Sequence, residues 1–320
     1  MSHIRTSLLT TAVIGAVLAP AVVAHAAPAT LASELAPTRV AAWEGTAMWS
    51  RYNPASNNYT LVKSVGGAAP VPVAVPARAG GPFDIDLGTD RSGNTVAVYT
   101  RDGDIYRQNV EIGTELKIKQ LASSRIDRDP TIHNGRLAFI RRVGDRDELR
   151  LASITGASRG ETTLVSKRKI VHAELGEKHV VYVLTGPGPI SDEGATFVRI
   201  RNLDTKADRQ IYRAVSGGAN FARVTRPTYV AKPAGFFWTR TNQGSGVGNR
   251  FIRYTLRGSR FANARGVKPR YSTSAWAGAA LGAIVATTLE GGESIGNCAD
   301  GGVNYCQVEL TGRLTFNATP

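Results

Sequence analysis

An apolar strand pattern recurs six times along this chain. Its copies are Thr46–Arg51, Thr95–Arg101, Arg136–Arg141, His179–Leu184, Gly235–Arg240 and Ala283–Thr287. With Trp49, Tyr99, Ile140, Val183, Trp238 and Ala286 as equivalent points, the steps are 50, 41, 43, 55 and 48 residues. A period of roughly 40 to 50 residues, with several short strands in each unit, is the mark of a β-propeller. The expected fold class is therefore all-β, a propeller of six blades with four antiparallel strands each. That constrains architecture far more than activity, because one propeller scaffold carries many unrelated functions.

The first 26 residues read as an export signal. Arg5 supplies the positive start, Leu8 to Leu18 the apolar stretch, and Ala24-His25-Ala26 a small-residue cleavage site. Thr10, Thr11, Gly15 and Pro20 interrupt a span barely long enough to cross a bilayer, so secretion is expected rather than stable membrane insertion. Residues 27–37, rich in alanine and proline, read as a short linker, and residues 38–318 as the propeller. Cys298 and Cys306 both lie in the exported part, and the Asp-Gly-Gly turn between them suits a disulfide closing a loop.

Each repeat divides into an inner strand, two middle strands and an outer one. The clearest turn is Asp102-Gly103, a two-residue hairpin signal in which both positions tolerate positive φ. The expected inner strands are 39–43, 83–87, 131–133, 170–174, 228–231 and 273–276. In the sixth repeat the outer two strands are expected at 306–310 and 314–317.

The second repeat carries a family resemblance. Asp84-Ile-Asp-Leu-Gly-Thr-Asp-Arg-Ser-Gly-Asn-Thr-Val-Ala-Val-Tyr-Thr-Arg-Asp-Gly-Asp-Ile-Tyr106 resembles the repeat of TolB-like propellers, and Pro130–Arg141 is a looser copy. Repeats five and six lack the Arg-Asp-Gly and Ile-Tyr elements. The resemblance implies a propeller of six blades that binds proteins, and it hands down no catalytic residue.

Motifs with catalytic spacing have plainer readings. Gly292-Glu-Ser-Ile-Gly296 has the spacing of a nucleophile elbow, but no helix follows it, and only His133, His172 and His179 remain after signal cleavage. Gly244-Ser-Gly-Val-Gly248 bridges two antiparallel strands and reads as a hairpin tip. Asp84, Asp86, Asp90, Asp102 and Asp104 lack the glycine and bidentate glutamate of a calcium loop, and aspartates in turns commonly cap backbone amides. Glu174 with Glu177, and Asp192 with Glu193, read as solvated carboxylates. No catalytic residue, metal or cofactor is expected.

Charge is the remaining signal. The chain carries 39 Lys+Arg against 25 Asp+Glu; signal removal takes only Arg5, leaving 38 against 25, a net +13. In a propeller the crossovers between blades share a face with the turns between the two middle strands. The five crossovers hold Arg78, Arg125, Arg128, Lys167, Arg168, Lys169, Arg223, Arg226, Lys268 and Arg270, against Asp127 and Asp129. Like charge around a concave mouth attracts anions. Nucleic acid is a poor partner, since no aromatic platform is interleaved with the bases. The expected function is a secreted, monomeric, non-enzymatic module that binds an envelope or extracellular protein or anionic polymer through this face. The alternative is an extracellular propeller enzyme acting on polysaccharides or lactones at the channel mouth.

Overall fold

The computed structural model describes residues 29–35, 38–154, 160–188, 194–215, 221–231, 234–243, 250–265, 274–276, 284–289, 306–310 and 315–318. The chain is built of strands joined by tight turns. Asp102 and Gly103 take φ of 53° and 81°, as the hairpin signal requires, and Asn134-Gly135 repeats the arrangement with 49° and 69°.

Strand β1 (Ala29–Glu34) comes first. The first blade holds β2 (Val40–Trp43), β3 (Thr46–Asn53), β4 (Asn58–Val65) and β5 (Val71–Pro72), with β6 (Arg78–Ala79) also on β4. The second holds β7 (Asp86–Thr89), β8 (Thr95–Arg101), β9 (Asp104–Asn109) and β10 (Glu115–Lys117). The third holds β11 (Asp127–His133), β12 (Arg136–Val143), β13 (Arg146–Ser153) and β14 (Thr162–Lys167). The fourth holds β15 (Ile170–Leu175), β16 (His179–Gly186), β17 (Ala195–Asn202) and β18 (Asp208–Val215). In the fifth, β19 (Phe221–Val224) and β20 (Thr228–Ala231) both pair with β21 (Ala234–Gln243), followed by β22 (Arg250–Thr255) and β23 (Arg260–Arg265). The last strands are β24 (Ser274–Trp276), β25 (Ile284–Leu289), β26 (Cys306–Leu310) and β27 (Thr315–Ala318).

The second strand of each blade is buried on both faces, which is why these strands read as unbroken apolar runs. Alternate side chains go to opposite neighbours. In β8, Ala97 and Tyr99 pack with Met48 and Leu61 of the first blade, while Val96 and Val98 pack with Leu137 and Phe139 of the third. In β12, Ala138 and Ile140 join Val180 and Tyr182 of the fourth blade, and in β16 Val181 and Val183 join Phe236 and Trp238 of the fifth. The hydrophobic core is thus a series of seams between blades. Each fully buried aliphatic or aromatic side chain in a seam contributes about 1.5–3 kcal/mol.

Among the described residues the structure shows five blades rather than six. The first five are built from strands consecutive in sequence, and their middle strands fall where the repeat places them. The sixth repeat departs from the pattern. Its expected outer strand, β27, pairs with β23 at the edge of the fifth blade, through Ala262↔Ala318 to Arg265↔Thr315. The place beside β26 belongs instead to β1, through Ala29↔Leu310 to Glu34↔Cys306. Residues 27–37 are therefore not merely the expected linker, because they include a paired strand.

Glu34, at the end of β1, explains how that strand is held. It is only 2% exposed, and it accepts a hydrogen bond from Trp49 Nε1 at 2.6 Å and one from Arg51 Nη2 at 2.9 Å. Leu31 and Ala32 pack on Val40, Ala42, Ala47, Trp49 and Val62. The N-terminal strand thereby ties the end of the chain to its first blade.

Candidate binding site at the channel mouth

The inner strands bring polar side chains to the axis at positions i and i+2, the spacing that puts both on one face of a strand. The pairs are Asp84 and Asp86, Asp129 and Thr131, His172 and Glu174, and Arg226 and Thr228. Breaks in regular pairing aim some of them. The β11–β12 register shifts between Arg128 and Thr131, where Asp129 takes a φ of 51° and Pro130 donates nothing to the ladder. Arg226 stands before Pro227 in the gap between β19 and β20, which Thr225 spans through bonds of 2.9 Å with Thr239.

These side chains form a belt from blade to blade. Asp84 Oδ2 accepts from the Asp129 amide at 2.5 Å, and Asp86 Oδ2 from the Ile132 amide at 2.9 Å. Asp129 Oδ2 accepts from the Ala173 amide at 2.7 Å, and Thr131 Oγ1 from the Leu175 amide at 3.0 Å. Glu174 Oε1 accepts from the Tyr229 amide at 2.9 Å. Inner strands of neighbouring blades lack a shared ladder, so the belt satisfies amides that burial would otherwise leave unpaired. Their backbones come close: a Cβ added to Gly88 in β7 would lie 2.2 Å from the Ile132 carbonyl oxygen.

Arg226 reaches from the fifth blade across the axis. It donates to the carbonyls of Ile85 at 2.7 Å and Pro130 at 2.6 Å, and lies 3.9 Å from each of Asp86, Asp129 and Glu174. Burial alone would lower its pKa, but Asp129, Asp86 and Glu174 together raise it. Asp129 is also buried, yet Arg226, His172 and Arg39 hold it well below the usual carboxylate range. Burial and the neighbouring Asp86 push Glu174 well above that range, and burial also raises Asp86 against the pull of Arg226. Asp129 and Arg226 are thus held in their charged forms by one another, while Glu174 and Asp86 are pushed toward their neutral forms.

Against this layer lies a small cavity of about 20 Å³, lined in part by Ala41, Leu87, Glu174 and Tyr229, with room for about one water. Deeper still, His133 lies edge-on to Tyr229 at 4.9 Å and to Trp43 at 6.0 Å. Burial lowers the His133 pKa to about 4, so the folded protein excludes a proton that the unfolded chain binds below about 6.5. A folded pKa below the unfolded one contributes stability above pH 6.5 and loses it as pH falls towards 4. His133→Asn is expected to flatten the pH dependence of urea-unfolding stability across that window, whereas an equal slope in both proteins would contradict the assignment.

Above the layer, the crossover face opens into a pocket of about 240 Å³ lined by Arg39, Arg78, Pro82, Phe83, Asp84, Arg128, Asp129 and Val171. Crossovers and middle-strand turns do meet here, since the Asp127 amide bonds the Gly103 carbonyl at 3.2 Å and Arg142 Nη1 the Arg168 carbonyl at 3.3 Å.

The basic residues expected on this face have different fates. Arg226 is no surface charge but the buried centre of the axis. Arg78 holds the carbonyls of Pro82 at 2.9 Å and Thr100 at 3.3 Å, and Arg128 meets Asp147 at 3.0 Å and the Ile170 carbonyl at 2.5 Å. Arg125, Lys167, Arg168 and Lys169 are exposed. Arg223 is on β19 opposite Thr241, while Lys268 and Arg270 lie outside the described residues. So do Cys298, and with it the disulfide expected to Cys306, and the motifs 292–296 and 244–248. Asp90 caps the Ser92 and Asn94 amides, and Asp104 pairs with Lys117 at 2.5 Å. Glu174, expected to be solvated, is buried.

The axis carboxylates and Arg39 escaped the sequence reading as a set. Their signal was present in the i, i+2 polar pairs, and in Asp129-Pro130 and Arg226-Pro227 at corresponding places in two repeats. Among the described residues no group of three or more His, Cys, Asp or Glu is arranged to hold a metal ion.

No family model matches this sequence, and no curated protein is similar to it in sequence. Solved structures do resemble it. A puromycin hydrolase superposes with a TM-score of 0.55 at 13% identity, over 89% of this chain and 54% of that one. TolB from Acinetobacter baumannii gives 0.51 at 12%, over 84% and 65%. A structure of a nidogen/laminin complex gives 0.50 at 12%, over 79% and 89%. The chain thus spans about half to two-thirds of the length of the first two. At such identities the likeness concerns the fold alone: this chain is an all-β propeller of four-stranded antiparallel blades, similar in architecture to TolB.

Proposed function

We propose that this protein is an exported, non-enzymatic binding module that takes an anionic envelope or extracellular partner, protein or polymer, on its crossover face. One observation carries the reading: a cationic patch surrounds a single buried carboxylate beside the mouth. Asp147, with a side chain 4% exposed, is met by Arg128 at 3.0 Å and Arg142 at 3.2 Å. Arg146, Lys167, Arg168 and Lys169 border it, all exposed, with Asp145 the exposed acid among them. The patch therefore keeps a surplus of positive charge facing solvent, which speeds encounter with anions and holds them in a salt-dependent way.

Export rests on residues 1–26, and no described helix is long and apolar enough to cross a membrane. Cleavage after Ala26 would place the new terminus two residues before β1. An enzyme at the channel mouth is the second reading, supported by the meeting of His172 with Asp129 at 3.6 Å near the axis. The belt favours binding instead, because Asp86, Asp129 and Glu174 each hold an amide of the next blade and are committed to the scaffold.

Reversing charge in Lys167→Glu, Arg168→Glu and Lys169→Glu together tests the reading. Retention on immobilised polygalacturonate is expected to fall at least tenfold at low salt and to lose most of its salt dependence. Unchanged retention would overturn the proposal.

A further inference from the structure

The seam between the fourth and fifth blades carries a second pocket, on the face opposite the crossovers. It opens where the turn after β17 meets the turn after β22. A crossover leads into β15, so the turn at the far end of that strand marks the opposite face. There the Leu203 amide bonds the Lys178 carbonyl at 2.9 Å, joining the two turns of the fourth blade. At about 290 Å³ the pocket stands at the lower end of the range of small-molecule sites.

Its polar side consists of donors. Arg209, exposed at the start of β18, donates from Nη2 to the Tyr254 hydroxyl at 2.6 Å and to Ser259 Oγ at 3.0 Å. Both Nη2 hydrogens are thereby used, while those on Nε and Nη1 have no protein partner among the described residues. Its acidic neighbour Asp208 is taken by Arg199 at 2.9 Å and Tyr182 at 2.6 Å, so Arg209 has no carboxylate partner among the described residues. Ser259 is exposed on a tight turn, where Gly258 and Ser259 take φ of 79° and 51°. Its hydroxyl accepts from Arg209 and donates to no described group, so it keeps a hydrogen for an acceptor. Thr205 Oγ1, also exposed, accepts from the Ala207 amide at 3.4 Å and is in the same position. Asn202 Oδ1 is already filled by the amides of Asp204 at 2.9 Å and Thr205 at 2.8 Å. The two turns further expose Lys206 and Arg257 against Asp204.

A guanidinium fork free of carboxylate, beside hydroxyls with hydrogens to give, matches an oxyanion. Ile200, Ala207 and Leu256 add an apolar wall that suits a hydrocarbon body. We propose that this inter-blade pocket binds an organic carboxylate. The carboxylate accepts from Arg209 and Ser259, and an apolar chain or ring lies against Ala207 and Leu256. The pocket is on the other face from the patch around Asp147, and its assignment does not rest on the reading of that patch.

Ligand-observed NMR titration of the intact protein with hexanoate, hexanamide, acetate and inorganic phosphate tests it. Hexanoate should bind, and hexanamide, which lacks the charge, should bind about tenfold more weakly or worse. Acetate and phosphate, which lack the apolar body, should also lose about tenfold or more. Arg209→Gln should weaken hexanoate about tenfold and Arg209→Lys less, with circular dichroism confirming that both variants fold. Arg257→Gln, which removes an exposed cation of the same turn outside the pocket lining, should change nothing. Absence of hexanoate binding, equal affinity for acetate or phosphate, or parental affinity in Arg209→Gln would overturn the assignment. Hexanoate affinity should persist in the Lys167/Arg168/Lys169 reversal. Its loss there would move the ligand to the crossover face and overturn this site while leaving the binding reading of that face intact.

Discussion

Replacing Arg226 by alanine is expected to cost about 3–5 kcal/mol of folding stability, the usual penalty for stripping one partner from a buried ion cluster. The reason is local. Without the guanidinium, Asp129 keeps a buried charge with only Arg39 and His172 near it, and the carbonyls of Ile85 and Pro130 lose their donor. Urea unfolding at neutral pH measures the cost. Glu174→Gln should act in the other direction, because a carboxyl whose folded pKa is raised destabilises the fold once pH exceeds its unfolded value. Combining Glu174→Gln with Arg226→Ala should therefore recover part of the loss. A near-neutral effect of Arg226→Ala would show that the axis is wetter and less tightly coupled than its distances imply.

The second large effect is expected at the N-terminal strand. Deleting residues 27–35 removes β1, exposes the edge of β26 and leaves Trp49 Nε1 buried without an acceptor. The unpaired indole alone is worth about 1–3 kcal/mol, and an open strand edge invites association between chains. Glu34→Gln is the milder probe, since an amide oxygen can still accept from Trp49 while the ion pair with Arg51 is lost. The deletion should lower the urea midpoint sharply and promote aggregation, with Glu34→Gln in between. Equal midpoints for deletion and parent would mean that β1 does not close the fold.

Both effects concern features the sequence showed only partly. The repeat was legible because the second strand of each blade, such as Val96–Thr100 or Val180–Val183, is covered on both faces and must be apolar throughout. Position within the repeat likewise located the inner strands and the Asp102-Gly103 turn. The sixth unit was misread because apolar pattern reports that a segment is a strand without reporting its partner. Thr315–Ala318 alternates as an outer strand should, and only hydrogen-bond pairing sends it to β23. Ala29–Glu34 was hidden by its alanines and by Pro28 and Pro37 around it. Its anchor, Glu34, looks like an ordinary surface residue until Trp49 and Arg51 are seen above it.

The site divides in the same manner. Counting charge by segment pointed to the crossover face, and among the residues it singled out Lys167, Arg168 and Lys169 are exposed. The same count placed Arg226 on the surface, since one-dimensional position does not distinguish a crossover from the bulge that follows it. The polar pairs Asp84/Asp86, Asp129/Thr131 and His172/Glu174 were visible as residues. Their role as an inter-blade belt was not, because each pair bonds the backbone of a different repeat 44 to 55 residues away.

The central claim is that axis charges hold the scaffold while the crossover face binds. Affinity for polygalacturonate as a function of salt tests it most directly, in the parent, in the Lys167/Arg168/Lys169 reversal, and in a variant carrying Asp86→Asn, Glu174→Gln and Arg226→Met. The account predicts parental affinity and slope for the axis variant once it is shown to be folded, with both reduced in the face reversal. Loss of binding in a folded axis variant, with the face reversal unaffected, would contradict it.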